Sequence, residues 1–89
     1  MAKTIAEIRQ KVRADVSRAS GVPMAQLQDG HTLKENLRIP HTGFVTLAQS
    51  LDSFVRAENP RGAVRVADLE NNESTVGSTD TLVQERMEQ

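Results

Sequence analysis

The two histidines of this chain, His31 and His41, are its first candidate metal ligands. Asp29 and Glu35 lie close to them in the sequence and would be the natural additional ligands. A structural metal site usually needs four ligands at a defined spacing, and these residues do not have one. We therefore predict that the protein holds no metal and that both histidines are solvated loop residues.

Nucleophilic catalysis has equally little support. Cysteine is absent, and no serine lies in the strand–turn–helix elbow that exposes a catalytic hydroxyl. Arg61 and Arg65, like Glu70 and Glu73, are typical of the solvated face of a helix. We expect that this protein is not an enzyme and has no catalytic residues.

The elements that position these side chains follow from the spacing of apolar residues. Thr4 and Glu7 form a capping box that predicts the start of a first helix over about 4–19. Gly21 supplies its end. The buried face of this helix is predicted to consist of residues three and four apart, namely Ile5, Ile8, Val12, Val16 and Ala19.

A long connection and a second amphipathic helix come next. The stretch "GVPMAQLQDGHTLKENLRIP" reads as an ordered loop, because apolar residues punctuate it and would pin it to the core. A second helix is predicted over about 42–57, and Asn59-Pro60 ends it. The loop anchors are Val22, Leu27, Leu33, Leu37 and Ile39, and the buried face of the helix comprises Phe44, Leu47 or Ala48, Leu51, and Phe54 or Val55.

Two further helices complete the predicted fold. A short one is expected within 64–71, and a last one over about 75–87, which Ser74 or Thr75 can cap. The inward-facing residues are Val64, Val66 and Leu69 in the first of these, and Val76, Leu82, Val83 and Met87 in the second. We predict an all-α bundle of three longer helices, one short helix and a long first loop, forming a single domain over 1–89.

Composition restricts the class of protein. The 89 residues include 11 basic and 12 acidic side chains, and neither sign forms the basic face that a nucleic-acid binder would show. Apolar residues make up 37% and no run of them approaches the ~20 residues of a membrane span. The charged N-terminus does not resemble a signal peptide. We expect a cytoplasmic monomer that binds neither nucleic acid nor membrane.

The order of these elements and the residues at their joints resemble the acyl carrier proteins and the related peptidyl carrier domains. The first helix closes at Gly21-Val22, with Leu27 five positions on, as in that family. "TLKENL" is similar to the family pattern Ser/Thr-Phe/Leu-x-Glu/Asp-x-Leu. The other matching residues are Leu47 and Leu51 in the second helix and Thr75-Val76 at the last. The resemblance implies an acyl-carrier-protein-like four-helix bundle.

This chain differs from the carrier proteins at the residue to which they attach their cofactor. The family's Asp-Ser-Leu, whose serine carries 4'-phosphopantetheine at a helix N-terminus, falls on Pro40-His41-Thr42. His41 has no hydroxyl to form the phosphodiester. Thr42 has one, but it lies one position on and its β-methyl crowds the attack. We therefore expect no cofactor on this protein.

A second triplet mimics the missing motif. "SLDSF" contains Asp-Ser-Phe, which makes Ser53 an alternative attachment residue. That reading would lengthen the preceding loop and discard the amphipathic run from Phe44 to Leu51. We therefore favour Ser53 as a surface residue inside the second helix.

The exposed face of the second helix is also unlike the acidic helix that carrier proteins present to basic patches of their enzymes. Its charged residues are only Asp52, Arg56 and Glu58, so it offers little electrostatic steering. Such a neutral face is most often plain surface. Under a binding hypothesis the predicted interaction residues are Thr42, Thr46, Gln49, Ser50 and Ser53.

Three hypotheses follow. The favoured one is a non-enzymatic carrier-like module that acts through protein partners, which the resemblance suggests are enzymes of acyl or peptidyl metabolism. The second is a genuine acyl or aminoacyl carrier in fatty-acid, polyketide or peptide biosynthesis, with 4'-phosphopantetheine on Thr42 or Ser53. The third is a small four-helix domain whose resemblance is convergent.

Overall fold

A computed structural model describes residues 4–88. Its elements are α1 (Ile5–Ser20), a 3-10 turn (Met24–Gln26), α2 (His41–Glu58), α3 (Val66–Leu69) and α4 (Val76–Glu88). Over this range the only β interaction is an isolated bridge between Thr32 and Thr75. The predicted all-α architecture of three longer helices, one short helix and a long first connection is confirmed. The 3-10 turn is a feature that the apolar spacing did not predict.

Local capping sets the limits of α1. The backbone N–H of Glu7 donates to Thr4 Oγ1 at 3.1 Å, which is the N-cap half of the predicted capping box. At the other end Gly21 adopts φ 76° and its N–H donates to Ser17 O. The predicted buried face is wrong at Ile5, which is 58% exposed. The reason is that the first turn of α1 extends beyond the core, so burial starts at Ile8.

The buried core is aliphatic apart from Phe44. It forms where α1 packs against α2 and α4, and α2 also contacts α3 and α4. The loop anchors contribute as predicted, because Leu27, Leu33, Leu37 and Ile39 are buried and Val22 packs against them. The helical members of the buried cluster are Ile8, Val12, Val16, Phe44, Leu47, Ala48, Leu51, Val55, Leu69, Val76 and Val83, and Val64 joins them from the preceding connection.

Backbone hydrogen bonds attach the long loop to the start of α4. The N–H of Leu33 donates to Ser74 O, and the N–H of Val76 donates to His31 O. The cap of α4 is Thr75, since the N–H of Ser78 donates to Thr75 Oγ1 at 3.0 Å and Ser78 Oγ accepts the N–H of Thr75 at 2.8 Å. These bonds order a connection that has little regular structure of its own.

None of the helices within residues 4–88 is both long enough and apolar enough to cross a membrane.

Candidate functional site

The start of α2 is held in one place by the residues on either side of it. Arg38 adopts φ 52°, which turns the chain so that Ile39 is buried and Pro40 precedes the helix. A Cβ on Gly43 would lie 2.9 Å from Ile39 Cγ2 and 3.4 Å from Ala19 O. Glycine is therefore what allows the first turn of α2 to lie directly against the end of α1.

His41 is the first residue of α2 and its side chain is 68% exposed. Its Nδ1 lies 2.7 Å from Glu70 Oε1, a carboxylate that follows α3 and is only 24% exposed. The expectation that Glu70 is a plain solvated helix charge is thus wrong. Sequence reasoning missed this pair because the two residues are distant in the chain and share no helical spacing.

Thr42 is exposed at the second position of α2, where its carbonyl accepts a bond from Thr46 Oγ1 at 3.2 Å. Pro40 provides no side-chain cap, so the first N–H groups of α2 have no capping partner from that residue. The result is a helix N-terminus with an exposed threonine at its second position, but with the imidazole of His41 at the position predicted for attachment.

Ser53 is exposed, but it lies well inside α2 rather than at its start. Its backbone N–H is part of the regular helical ladder, so the positive end of the helix dipole is not available there. The run from Phe44 to Leu51 is continuously helical, as the apolar spacing predicts. A helix that begins at Ser53 does not occur.

Four of the residues predicted for an interaction face are exposed on α2, namely Thr42, Thr46, Gln49 and Ser53, which recur four, three and four residues apart. The expectation that Ser50 is exposed as well is wrong, because Ser50 is half-buried. Ser50 Oγ donates to Asp15 Oδ2 at 2.8 Å and accepts from Lys11 Nζ at 3.0 Å. Its position on α2 turns it toward α1, so it belongs to the helix–helix contact and not to the free face.

A buried carboxylate anchors that contact. Asp15 is 4% exposed, on the apolar side of α1, with Lys11 Nζ 3.3 Å and Arg18 Nη2 3.8 Å from its oxygens. Its neighbours Val12 and Val16 are fully buried. Sequence reasoning did not single out Asp15, although a charged residue beside the buried stripe is a signal that was available.

The acidic residue on α2 is also engaged within the fold. Asp52 Oδ1 accepts the backbone N–H of Val64 at 2.9 Å, and Asp52 Oδ2 lies 3.0 Å from Arg56 Nε. The bond from Val64 is the main reason that the pKa of Asp52 is lowered from its ordinary value, and Arg56 adds to it. Asp52 therefore attaches α2 to the segment before α3, and it is not a free docking charge.

The two histidines have separate partners and do not form one metal site. His31 is half-buried and its Nδ1 accepts the N–H of Gln28 at 3.2 Å, so it is not simply a solvated loop residue. His41 belongs to a helix and contacts Glu70. Across residues 4–88, no group of three or more histidine, aspartate and glutamate side chains is arranged to hold a metal ion.

Comparison with known proteins adds no relative. No protein-family model matches the chain, and neither the curated proteins nor the solved structures contain a match to it. The resemblance to carrier proteins therefore rests on the residues at the helix joints.

Proposed function

We propose that this protein is a non-enzymatic, carrier-protein-like interaction module that carries no phosphopantetheine. Its binding surface is the exposed face of α2, which is formed by Thr42, Thr46, Gln49 and Ser53. The observation that carries the proposal is the identity and engagement of the first residue of α2. The resemblance aligns His41 with the serine to which a carrier attaches its cofactor, and the imidazole of His41 lies 2.7 Å from Glu70 Oε1.

The chemistry of attachment supports this view. Transfer of phosphopantetheine from coenzyme A requires a hydroxyl oxygen to attack the pyrophosphate and form a phosphodiester, and imidazole cannot form that product. Thr42 is exposed, but its hydroxyl is secondary and lies one residue beyond the start of the helix. Loss of the attachment residue leaves a scaffold whose remaining function is recognition.

The expected partner is a protein, and the resemblance suggests an enzyme of acyl or peptidyl metabolism. The α2 face presents two threonines, a glutamine and a serine, so recognition relies on hydrogen bonds and shape. Asp52 contributes little long-range attraction because Val64 and Arg56 already engage it. Association should therefore depend weakly on salt, unlike that of an acidic carrier.

A genuine carrier remains the second candidate, because Thr42 does present an exposed hydroxyl at the N-terminal end of α2. Ser53 also presents an exposed hydroxyl, but away from the helix terminus. Under this alternative the cofactor is 4'-phosphopantetheine on one of these two residues.

Intact-mass measurement separates the two candidates. The natural protein is incubated with coenzyme A and a broad-specificity phosphopantetheinyl transferase, and no mass increase is expected. The triple variant Pro40→Asp, His41→Ser, Thr42→Leu should gain the mass of one phosphopantetheine, at least in part. Its matched control contains Pro40→Asp and Thr42→Leu but keeps His41, and should stay unmodified. Quantitative modification of the natural protein at Thr42 or Ser53 would establish the carrier instead.

The exposed face of α2 is tested separately, by measuring how tightly its variants bind to purified carrier-dependent enzymes. Gln49→Lys should weaken binding to a true partner at least about tenfold, since it places a charge in the middle of the polar face. Gln28→Lys makes the same change at an exposed loop residue away from α2 and should have no effect. Binding that is equally sensitive to both changes, or to neither, would contradict the assignment of this face.

A further inference from the structure

Three arginines surround an open cavity near the C-terminal end of α2. Thr42, the first residue of the proposed interaction face, lies at the other end of this helix. Arg61 and Arg65 come from the connection between α2 and α3, and Arg86 comes from the last turn of α4. The cavity has a volume of about 270 Å³, and Ala63 and Asp68 complete its lining. A concentration of guanidinium groups around a concave site is typical of anion recognition.

The backbone under this groove is held firmly. Asn59 is 8% exposed, its Nδ2 donates to Arg86 O at 2.8 Å, and its Oδ1 accepts the N–H of Arg61 at 3.2 Å. A Cβ on Gly62 would lie 2.6 Å from Arg86 O, so the connection lies directly against the end of α4. The two segments that supply the arginines are therefore fixed relative to each other.

One guanidinium is oriented in advance. Arg86 Nε donates to Ala63 O at 3.1 Å, and Arg86 Nη2 lies 3.6 Å from Asp68 Oδ1. The second oxygen of Asp68 accepts the N–H of Arg65 at 3.0 Å. Asp68 is thus engaged by the groove itself, and with three arginines against one carboxylate the lining keeps two positive charges.

The side chains of Arg61 and Arg65 are available for a ligand. Both residues are exposed, and within residues 4–88 neither guanidinium takes part in an ion pair or hydrogen bond. Their N–H groups can close on an anion beside the oriented Arg86 at no cost in broken contacts. One oriented guanidinium and two exposed ones together form a site that needs only small rearrangement.

We propose that this groove binds the phosphoryl group of a small phosphorylated molecule. A phosphoryl dianion matches the two excess positive charges, and its oxygens fit the paired N–H groups of arginine. The cavity is slightly smaller than the usual range for ligand sites, so it suits a compact anion. The chain lacks the extended basic face that binding a nucleic acid would need. This site is independent of the α2 face and of the phosphopantetheine question.

The test is a titration of the folded protein with pyrophosphate at constant ionic strength, followed by backbone amide NMR shifts. The largest shifts are expected at Arg61, Gly62 and Arg65. Arg61→Gln and Arg65→Gln should each weaken the apparent affinity about tenfold, as expected for loss of one charge-assisted contact. Arg38→Gln is the matched control, because Arg38 is exposed and does not line the groove, and it should leave the affinity unchanged.

Two results would overturn the proposal. One is evidence of nonspecific charge attraction. It would appear as an affinity that falls equally in Arg38→Gln and in the groove variants, or as amide NMR shifts spread over all exposed basic residues. The other is a phosphoserine peptide that binds at the same amides at least about ten times more tightly than pyrophosphate. That result would assign the groove to a phosphorylated protein. Circular dichroism of each variant shows that a loss of affinity does not reflect unfolding.

Discussion

His41 Nδ1 lies 2.7 Å from Glu70 Oε1, which joins the first residue of α2 to the residue that follows α3. The contact crosses between two elements that local capping does not connect, since α2 begins after a proline that provides no side-chain cap. It gives the first residue of α2 a structural role, in which it ties the start of α2 to the end of α3.

The contribution of this pair to the free energy of unfolding should be small but measurable by a double-mutant cycle. His41→Ala and Glu70→Ala, singly and together, are expected to give a coupling energy of about 0.2–1 kcal/mol, because the imidazole is largely exposed. Urea denaturation of the four proteins provides the numbers. A coupling energy indistinguishable from zero would mean that the contact is not maintained in solution.

Leu37 and Leu47 should behave as buried supports of the start of α2. They are 6% and 1% exposed, so changing either to alanine is expected to lower the free energy of unfolding by about 2–5 kcal/mol. Ile5→Ala is the matched control, since Ile5 is 58% exposed and should cost within about 0.5 kcal/mol. Chemical denaturation that finds all three variants alike would contradict the core described above.

Gly62 should be intolerant of a side chain. A Cβ there would lie 2.5 Å from Val55 Cγ1 and 2.6 Å from Arg86 O, so Gly62→Ala is expected to cost about 1–3 kcal/mol. Gly30→Ala meets no atom within 4 Å and should leave stability unchanged or raise it by up to about 1 kcal/mol. Thermal unfolding of the two variants tests the difference. Equal stability would show that the connection does not lie against α4.

Asp80 should make the protein less stable as the pH rises through the acid range. Burial raises the pKa of this carboxyl above its ordinary value of 3.8, and the bond from Arg13 Nη1 at 2.9 Å offsets this only in part. The folded state therefore holds the Asp80 proton more tightly than the unfolded chain does. This contribution favours folding below pH 3.8 and is lost as the pH rises through the raised pKa.

Asp80→Asn removes that titration. Measured as the free energy of unfolding against pH, the stability of the variant relative to the natural protein should increase as the pH rises from 3.8 toward neutrality. Glu35→Gln is a useful control, because it also removes a carboxyl group but does so at an exposed residue of the long loop. A relative stability that falls over this range would mean that the Arg13 ion pair outweighs the cost of burial.

Asp52 should act in the opposite direction. The N–H of Val64 lowers the pKa of Asp52, so its contribution to stability is present above 3.8 and is lost as the pH falls through the lowered pKa. Asp52→Ala is expected to cost about 1 kcal/mol at neutral pH, the value of an ordinary hydrogen bond, because partial exposure weakens this charged one. The cost should shrink in acid. An equal cost at both ends of the range would point to packing as its cause.

Local patterns in the sequence determined most of the helices. Thr4 with Glu7 and Gly21 lie within one turn of a helix end, where capping is a matter of adjacent donors and acceptors, and the same rule restricted the cap of α4 to Ser74 or Thr75. The buried stripes followed in the same way, because a helix repeats its faces every three to four residues. The face of α2 was therefore predictable at Thr46 and Gln49.

Only the tertiary structure decided which of these positions meet across elements. Ser50 turned out to bond Asp15 and Lys11, and Glu70 to bond His41. Helical periodicity specifies which side of a helix is polar, but it does not specify the rotation and distance of a neighbouring helix. Those are set by how the side chains of several elements fill one core, and partners far apart in the chain are brought together only when that packing is complete.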